Sequence, residues 1–497
     1  MLEKVIRKLA SLELHNNKAK VQLVLHTSVL RFPHEQTKKL FKLCCEAGLD
    51  ILLPAAYFYE IRELMNSDLF GKKAEAFLMS LKEAKVQLIE KGFEDFYLSD
   101  PWADGDESDD CIEEEVFSKN SEKNTENDLY CFLCDDLIKL DEFLRFVYKS
   151  DYHMVILPPQ VYGEYKLVSI NEAKAWDGVQ MKTCEYGKPL TQEEFEKKKE
   201  QEFFAGGPYI KVCDSIKRGG EGELFTYKKA KGKVEKDSLA KLFIHNVSEE
   251  RKEKLNRLCE LSKFFPNVCT IQELLLEKGS SDNIQGIIVE KLEGATFADF
   301  LNKDVAELEV WDVESVLRSL LRVLLELNLC EIYVTDIDLR NFIIDRDNVL
   351  KLLDFDGVQC KNYSSGTLPK RDYVHPLHNR NIKQGEVKFY PVFQHYSVLV
   401  LFIKCMLLGN QYIPDDIEAL RRQDGIWQTG DRRIADKECE ALWEAFCTIL
   451  QEDDAKLTVE EQQEVNLRKN ARAVFETVFC KGKYVSIGDM LEIMEAY

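Results

Sequence analysis

Tyr333-Val-Thr-Asp-Ile-Asp-Leu-Arg-Asn-Phe-Ile-Ile344 runs, after a short polar gap, into Val349-Leu-Lys-Leu-Leu-Asp-Phe-Asp-Gly357. The apolar runs ending at Ile344 and at Leu353 read as the two arms of a hairpin. Asp336 precedes Asn341 by five residues, and the hairpin leads on to Asp354. A carboxylate able to take a hydroxyl proton, with two further oxygen ligands for a hard divalent cation, is the donor set that phosphoryl transfer requires. Singly these are ordinary turn residues. Their joint spacing is not explained by turns.

Upstream lie three segments that belong with it. Leu239-Ala-Lys-Leu-Phe243 sets Lys241 inside an apolar strand, where an ammonium is costly unless it reaches an anion or snorkels from a strand edge. A helix is expected from Ser248 to Phe264, carrying Glu253 and Glu260, and Ile287 to Leu292 reads as a buried strand entering a polar turn at Glu293-Gly294. Ser215-Ile-Lys-Arg-Gly-Gly-Glu-Gly-Glu-Leu-Phe-Thr-Tyr227 is two β-type runs pinched around glycines, a turn at which backbone amides can approach phosphate oxygens.

With these four motifs in order, residues of about 208–480 resemble a protein-kinase domain, in particular divergent bacterial kinase-like domains with an aspartate after the Asp-Phe pair. The resemblance implies an α+β bilobal architecture, with an N-lobe over 208–294 and a helical C-lobe over 295–497. It implies that Gly219, Gly220 and Gly222 form the phosphate loop, that Leu224 covers the adenine, and that Lys241 contacts the α/β-phosphates. Glu253 is the expected helix partner of Lys241, and Glu290 to Leu292 the hinge whose backbone binds adenine. Asp336 corresponds to the catalytic base, and Asn341 and Asp354 to the Mg²⁺ ligands. The chain also departs from the pattern. Lys217 replaces the first loop glycine, Val334-Thr335 stand for His-Arg, Asp338 for a lysine, and Asp356 for the glycine of the metal-binding triplet. Tyr373-Val-His-Pro-Leu377 replaces Ala-Pro-Glu, and Gln394 the aspartate of the central helix.

Residues 1–158 alternate β-type runs with amphipathic helices, which predicts an α/β domain with a parallel sheet. The expected strands are Val21 to Leu25, Asp50 to Leu53, Leu129 to Cys134 and Met154 to Leu157; the expected helices include Gln36 to Ala47, Ala55 to Met65 and a longer one from Lys72 to Lys91. Open α/β sheets bind ligands beyond the carboxyl ends of their strands. His26, Thr27 and Ser28 stand at one such end, Glu60 follows the second strand, Asp109-Asp110 lie in a polar stretch, and Asp135-Asp136 follow the fourth. Converging carboxylates of this kind bind Mg²⁺ or Mn²⁺ and activate water for phosphodiester hydrolysis. The order resembles a PIN-domain nuclease over about 20–158, which implies a metal site at His26, Glu60, Asp109 or Asp110, and Asp135. His26 takes the place of that family's first aspartate and brings no negative charge.

Between these parts, 159–207 reads as a linker with a charged helix from Thr191 to Phe203. The 497 residues are 45% hydrophobic and 10% aromatic, which excludes wholesale disorder. Sixty-seven basic against 88 acidic residues leave a formal charge of −21, which disfavours nonspecific binding of nucleic acid or anionic membrane by the whole molecule. Fifteen cysteines are too sparse for a disulfide scaffold, and Cys131 and Cys134 are expected as buried thiols in a strand. The charged N-terminal helix does not read as a secretory signal, and the longest apolar run, Val398 to Leu408, is broken by Lys404 and too short to cross a bilayer. No membrane partner and a cytoplasmic location are expected.

The resemblances together imply an ATP- and Mg²⁺-dependent protein kinase acting on protein hydroxyls, with serine or threonine as the expected acceptors and the chain itself among the substrates to test. One alternative is a metal-dependent RNA nuclease, with RNA bound by the N-terminal domain, under control of an ATP-binding kinase-like or pseudokinase domain. The other is a catalytically inactive scaffold.

Overall fold

A computed structural model describes residues 2–15, 21–84, 86–89, 129–147, 153–184, 186–229, 232–301, 310–345, 349–366, 378, 381–382, 385, 387–403 and 486–495. The first part runs α1 (Leu2–His15), β1 (Val21–Leu25), α2 (His34–Ala47), β2 (Asp50–Pro54), α3 (Ala55–Leu64), α4 (Gly71–Glu83) and β3 (Gln87–Ile89). It continues through β4 (Leu129–Leu133), α5 (Leu137–Phe146), β5 (Met154–Leu157) and β6 (Lys166–Ser169). The six strands form one sheet in the order β3-β2-β1-β4-β5-β6. The first five pair in parallel and β6 joins β5 antiparallel. Leu23, Val24 and Leu25 are buried, as the centre of a sheet covered on both faces requires. The expected parallel α/β unit is present.

Two boundaries differ from the sequence expectation. The helix expected to reach Lys91 ends at Glu83, and Gln87–Ile89 instead pairs in parallel with β2, Leu88 beside Leu53. Edge pairing on an existing apolar sheet outweighs the helical pattern there. The sheet also passes residue 158, because β6 comes from the segment expected as linker. That segment further supplies β7 (Tyr186–Pro189), helix α6 (Gln192–Lys199) and β8 (Phe203–Phe204). Thr191 and Glu194 form a capping box at the start of α6. Phe195 on this charged helix is buried in the interior of the barrel described next, and the Lys198 ammonium donates to the Phe243 carbonyl at 2.8 Å.

β9 (Tyr209–Arg218), β10 (Gly222–Lys229) and β11 (Ser238–Phe243) precede the short β12 (His245–Val247), helix α7 (Glu249–Leu261), β13 (Ile271–Glu277) and β14 (Ile284–Glu290). Six of these strands close into a barrel in the order β10-β11-β14-β13-β8-β9, while β12 pairs with β7. Phe203, Ile210, Phe225, Leu242 and Leu275 fill the interior. The remainder comprises β15 (Gly294–Thr296), helix α8 (Val310–Leu329), β16 (Ile332–Tyr333), β17 (Phe342–Asp345), β18 (Leu350–Leu352), β19 (Gln359–Cys360), α9 (Pro391–Ile403) and α10 (Ile487–Glu495). β17 and β18 are the arms of the expected hairpin, with β15 added along one edge.

The C-terminal helices lie over the carboxyl ends of the first sheet. α10 packs on α3 so closely that a Cβ on Gly488 would sit 2.0 Å from the Ala56 carbonyl oxygen, and only glycine fits there. Arg322 of α8 binds Glu63 of α3 at 2.6 Å, and Lys388 binds Asp141 of α5 at 2.7 Å. One apolar core runs from Leu2 in α1 to Met494 in α10, and the barrel interior is a second. Among the described residues no helix is long and apolar enough to cross a membrane. Tyr373 to Leu377 and the apolar run beyond Ile403 lie outside the described residues.

Candidate active site

Lys241 lies in the middle of β11, opposite Leu224 of β10 and Ile287 of β14. Its ammonium crosses to the turn that follows β18. It meets both oxygens of Asp356, at 2.8 and 3.0 Å, and Oδ1 of Asp354 at 3.3 Å. Asp354 has a left-handed backbone (φ 48°, ψ 40°), uncommon for a residue with a Cβ, and its side chain is 64% exposed. Asp356 is 2% exposed. Burial works against its charge, but Lys241 and Arg251 outweigh burial and hold its carboxyl below the usual range.

Asp336 and Asn341 are joined directly. The Asn341 amide nitrogen donates to the Asp336 carbonyl at 3.1 Å and to its carboxylate at 3.0 Å, which leaves the amide oxygen of Asn341 to act as a ligand. Asp338 caps the turn between them and pairs with Arg340 at 3.0 Å. The Leu353 N–H donates to the Asn341 carbonyl at 2.7 Å, tying this loop to the residue before Asp354. A pocket lined by Glu221, Thr335, Asp336, Asn341, Asp354 and Gly357 results. Of this lining, the Asp354 carboxylate and the Asn341 amide oxygen could hold Mg²⁺, which keeps few protein ligands.

The glycine-rich turn joins β9 to β10, with the Gly219 N–H donating to the Gly222 carbonyl at 2.8 Å. A Cβ at Gly220 would meet open space, and one at Gly219 only the Gly222 carbonyl at 3.6 Å. Gly222 is demanded by packing, since its Cβ would lie 2.7 Å from the Leu242 carbonyl oxygen of β11. Leu224 is half-buried. At the expected hinge, the N–H groups of Glu290 and Lys291 already donate to the carbonyls of Thr270 and Asp237, both at 3.0 Å. The Glu290 carboxylate pairs with Lys351 at 3.3 Å, and Leu292 is half-buried just beyond β14. Of the amides at Glu290 and Lys291, neither is open to an adenine, because interstrand pairing continues through them.

Glu253 is not the partner of Lys241. It is 54% exposed and binds Lys182 at 2.6 Å and the Tyr363 hydroxyl at 2.8 Å. Helical spacing turns Arg251, Lys254, Leu255 and Leu258 inward and Glu253 outward. The inward Arg251 comes within 3.8 Å of Asp356 and 3.6 Å of Glu221, while Lys254 donates to the carbonyls of Ser364 and Ser365 at 3.0 and 2.8 Å.

The strand-end crevice of the first sheet lies between β1 and β4, where the strand order reverses. His26 Nδ1 accepts from the Ser28 N–H at 3.0 Å, and burial, then Lys139 and Arg31, hold the ring neutral, so the proton sits on Nε2. Glu60 accepts from the Thr27 hydroxyl. Burial pushes Asp135 above its usual range against the pull of Arg31, which lies 3.4 Å away. Asp136 caps α5, accepts from the Tyr333 hydroxyl at 2.7 Å, and is pushed up by burial to about 6 against Arg31 at 3.9 Å. Glu331 adds a third carboxylate, 3.5 Å from Arg31. Of the expected metal set, His26 and Glu60 line one pocket with Thr27, Ser28, Asp136 and Lys139, while Asp135 turns to Arg31, and Asp109 and Asp110 lie outside the described residues. Among the described residues no three histidine, cysteine or acidic side chains converge on a metal position. Cys131 and Cys134 are buried free thiols.

Burial pushes the Glu60 carboxyl from 4.5 up to about 7. The folded state then binds a proton that the unfolded chain has released, so stability falls as pH rises from about 4.5 to about 7. Glu60→Gln keeps the acceptor for Thr27 and removes the titration. Its stability relative to the wild type is expected to grow by up to about 3 kcal/mol between pH 5 and pH 8 in urea unfolding. Parallel pH profiles for the two proteins would refute this.

Sequence reasoning missed Arg251, Arg31 and Tyr333 as site-forming residues, since they sit in segments that look like ordinary helix or strand ends. Asp136 carried a signal as one of the strand-end carboxylates, and Asp356 as a charge where a glycine was expected. No family model matches this chain, and no curated protein matches it.

Proposed function

We propose that the chain is an ATP-dependent phosphotransferase of the protein-kinase type, moving the γ-phosphoryl group of ATP to a protein hydroxyl. The observation that carries this reading is two pairs drawn from three segments, Lys241 with Asp354 and Asn341 with Asp336, with Asp336, Asn341 and Asp354 lining one pocket. Lys241 would orient the α/β-phosphates from the barrel side. Asp336 would orient the acceptor hydroxyl and take its proton as the oxygen bonds to the γ-phosphorus and ADP leaves with its bridging oxygen. Asp354 and the Asn341 amide oxygen would hold Mg²⁺, whose charge would offset that building on the phosphate oxygens. Most of the acceleration would come from positioning and charge.

The nucleolytic alternative draws less support, because the acidic groups at the strand-end crevice are engaged by Arg31, Thr27 and Tyr333. The test is transfer of labelled γ-phosphate from Mg-ATP onto the purified chain and onto a generic protein acceptor, with the modified residues mapped. Label on serine or threonine supports the reading. Absence of both incorporation and Mg-ATP binding overturns it.

A further inference from the structure

A lysine buried in a strand holds one position only if a fixed counter-charge holds its ammonium. Helix α7 offers Lys241 no such charge, since its inward face presents Arg251 and Lys254 and its Glu253 points to solvent. The turn after β18 offers two carboxylates of unequal weight. Asp354 makes one contact of 3.3 Å and is 64% exposed, so water screens it. Asp356 contacts the ammonium through both oxygens and is buried, where charges are screened far less. Arg251 comes within 3.8 Å of Asp356 Oδ2, an oxygen that Lys241 also contacts.

We infer that Asp356 is the positioning residue of Lys241, fixing its ammonium in the cleft from the same turn that carries Asp354. This rests on the phosphotransferase reading. It assigns the residue at the third place of Asp354-Phe-Asp356 a task in nucleotide binding: the turn supplies Asp354 to the cation and Asp356 to the lysine, so both phosphate-handling groups are set by one piece of backbone. Helix α7 reaches Lys241 through Arg251 and Asp356. The Asp354 carboxylate is thereby left largely in solvent, where a cation can take it.

The test compares Asp356→Asn, Asp356→Glu, Glu253→Gln, Lys241→Met and the double variant Lys241→Met/Asp356→Asn in the full chain. Mg-ATP affinity, kcat, KM for ATP and the thermal midpoint are measured for each. Asp356→Asn is expected to weaken Mg-ATP binding at least tenfold, Asp356→Glu to recover part of that loss, and Glu253→Gln to stay within twofold of the wild type. In the Lys241→Met background Asp356→Asn should weaken binding no further, because its effect passes through the lysine. A role in folding alone would lower the thermal midpoint without this dependence on Lys241. The same loss in both backgrounds overturns the inference, as does a tenfold loss in Glu253→Gln. That last arm stands even if Asp356→Asn fails to fold, since Glu253 is exposed. Wild-type protein without Mg-ATP binding or turnover refutes the phosphotransferase reading, and the inference with it. Wild-type turnover with an unaffected Asp356→Asn refutes the inference alone.

Discussion

Asp354→Ala is expected to lower Mg-ATP turnover by at least about 10²–10³-fold, the scale seen when one electrostatic contact to a reacting centre is deleted. The substitution removes the only carboxylate among the proposed metal ligands and leaves Asn341 to hold a cation by its amide oxygen alone. The fold should tolerate it. The Asp354 side chain is mostly in water, and Lys241 keeps both oxygens of Asp356, so no buried charge is stranded. The thermal midpoint should stay close to that of the wild type while turnover collapses. Steady-state rates at saturating Mg-ATP, alongside a melting curve, separate the two effects. A folded variant with full turnover would refute the metal assignment. Asp336→Ala should cost about 10²–10⁴-fold through loss of the proton acceptor.

Arg31→Ala should act in the opposite way, on stability. Its guanidinium sits among Asp135, Asp136 and Glu331, and it is 20% exposed. Deleting one partner of a buried ion cluster costs about 3–5 kcal/mol, and partial exposure puts Arg31 at the low end, about 3 kcal/mol. The penalty should depend on pH with a definite sign. Asp136 already stands at about 6 against an ordinary 3.8, so its ionisation costs stability as pH rises through 6, and removing Arg31 enlarges that cost. The difference from wild type in urea unfolding should therefore be larger at pH 8 than at pH 5. An equal difference at both values would mean that Arg31 acts through packing instead of charge. Asp136→Asn should remove the pH dependence but keep an acceptor for only one of two donors, because the Tyr333 hydroxyl meets one oxygen of Asp136 and the Lys139 N–H the other.

These two predictions separate what is local from what is not. Lys241, Asp336, Asn341 and Asp354 were legible because a lysine inside an apolar strand and oxygen ligands around a hairpin are unusual combinations within a few residues. Glu253 was not legible. A helix with acids and bases on several faces does not declare which face is inward until the barrel packs against it. The same holds for Asp135 and Asp136, adjacent in sequence and opposite in task. One is partly buried against Arg31, and the other caps α5 and meets Tyr333. Phe195 lies within a stretch that reads as a charged linker helix, and it packs into the barrel interior.

The amino-acid sequence by itself determined β1, β2, β4 and β5 of the first sheet, the hairpin of β17 and β18, and the residue types of the cleft. These follow from periodicity and from chemistry within single segments. Tertiary structure decided the partner of Lys241, the fate of the strand-end carboxylates, and the addition of β3 and β6 to the sheet. Burial and charge pairing act between segments distant in the chain, as Glu63 and Arg322 are at 259 residues and Ala56 and Gly488 are at a still greater separation, and no local pattern encodes which segments will meet.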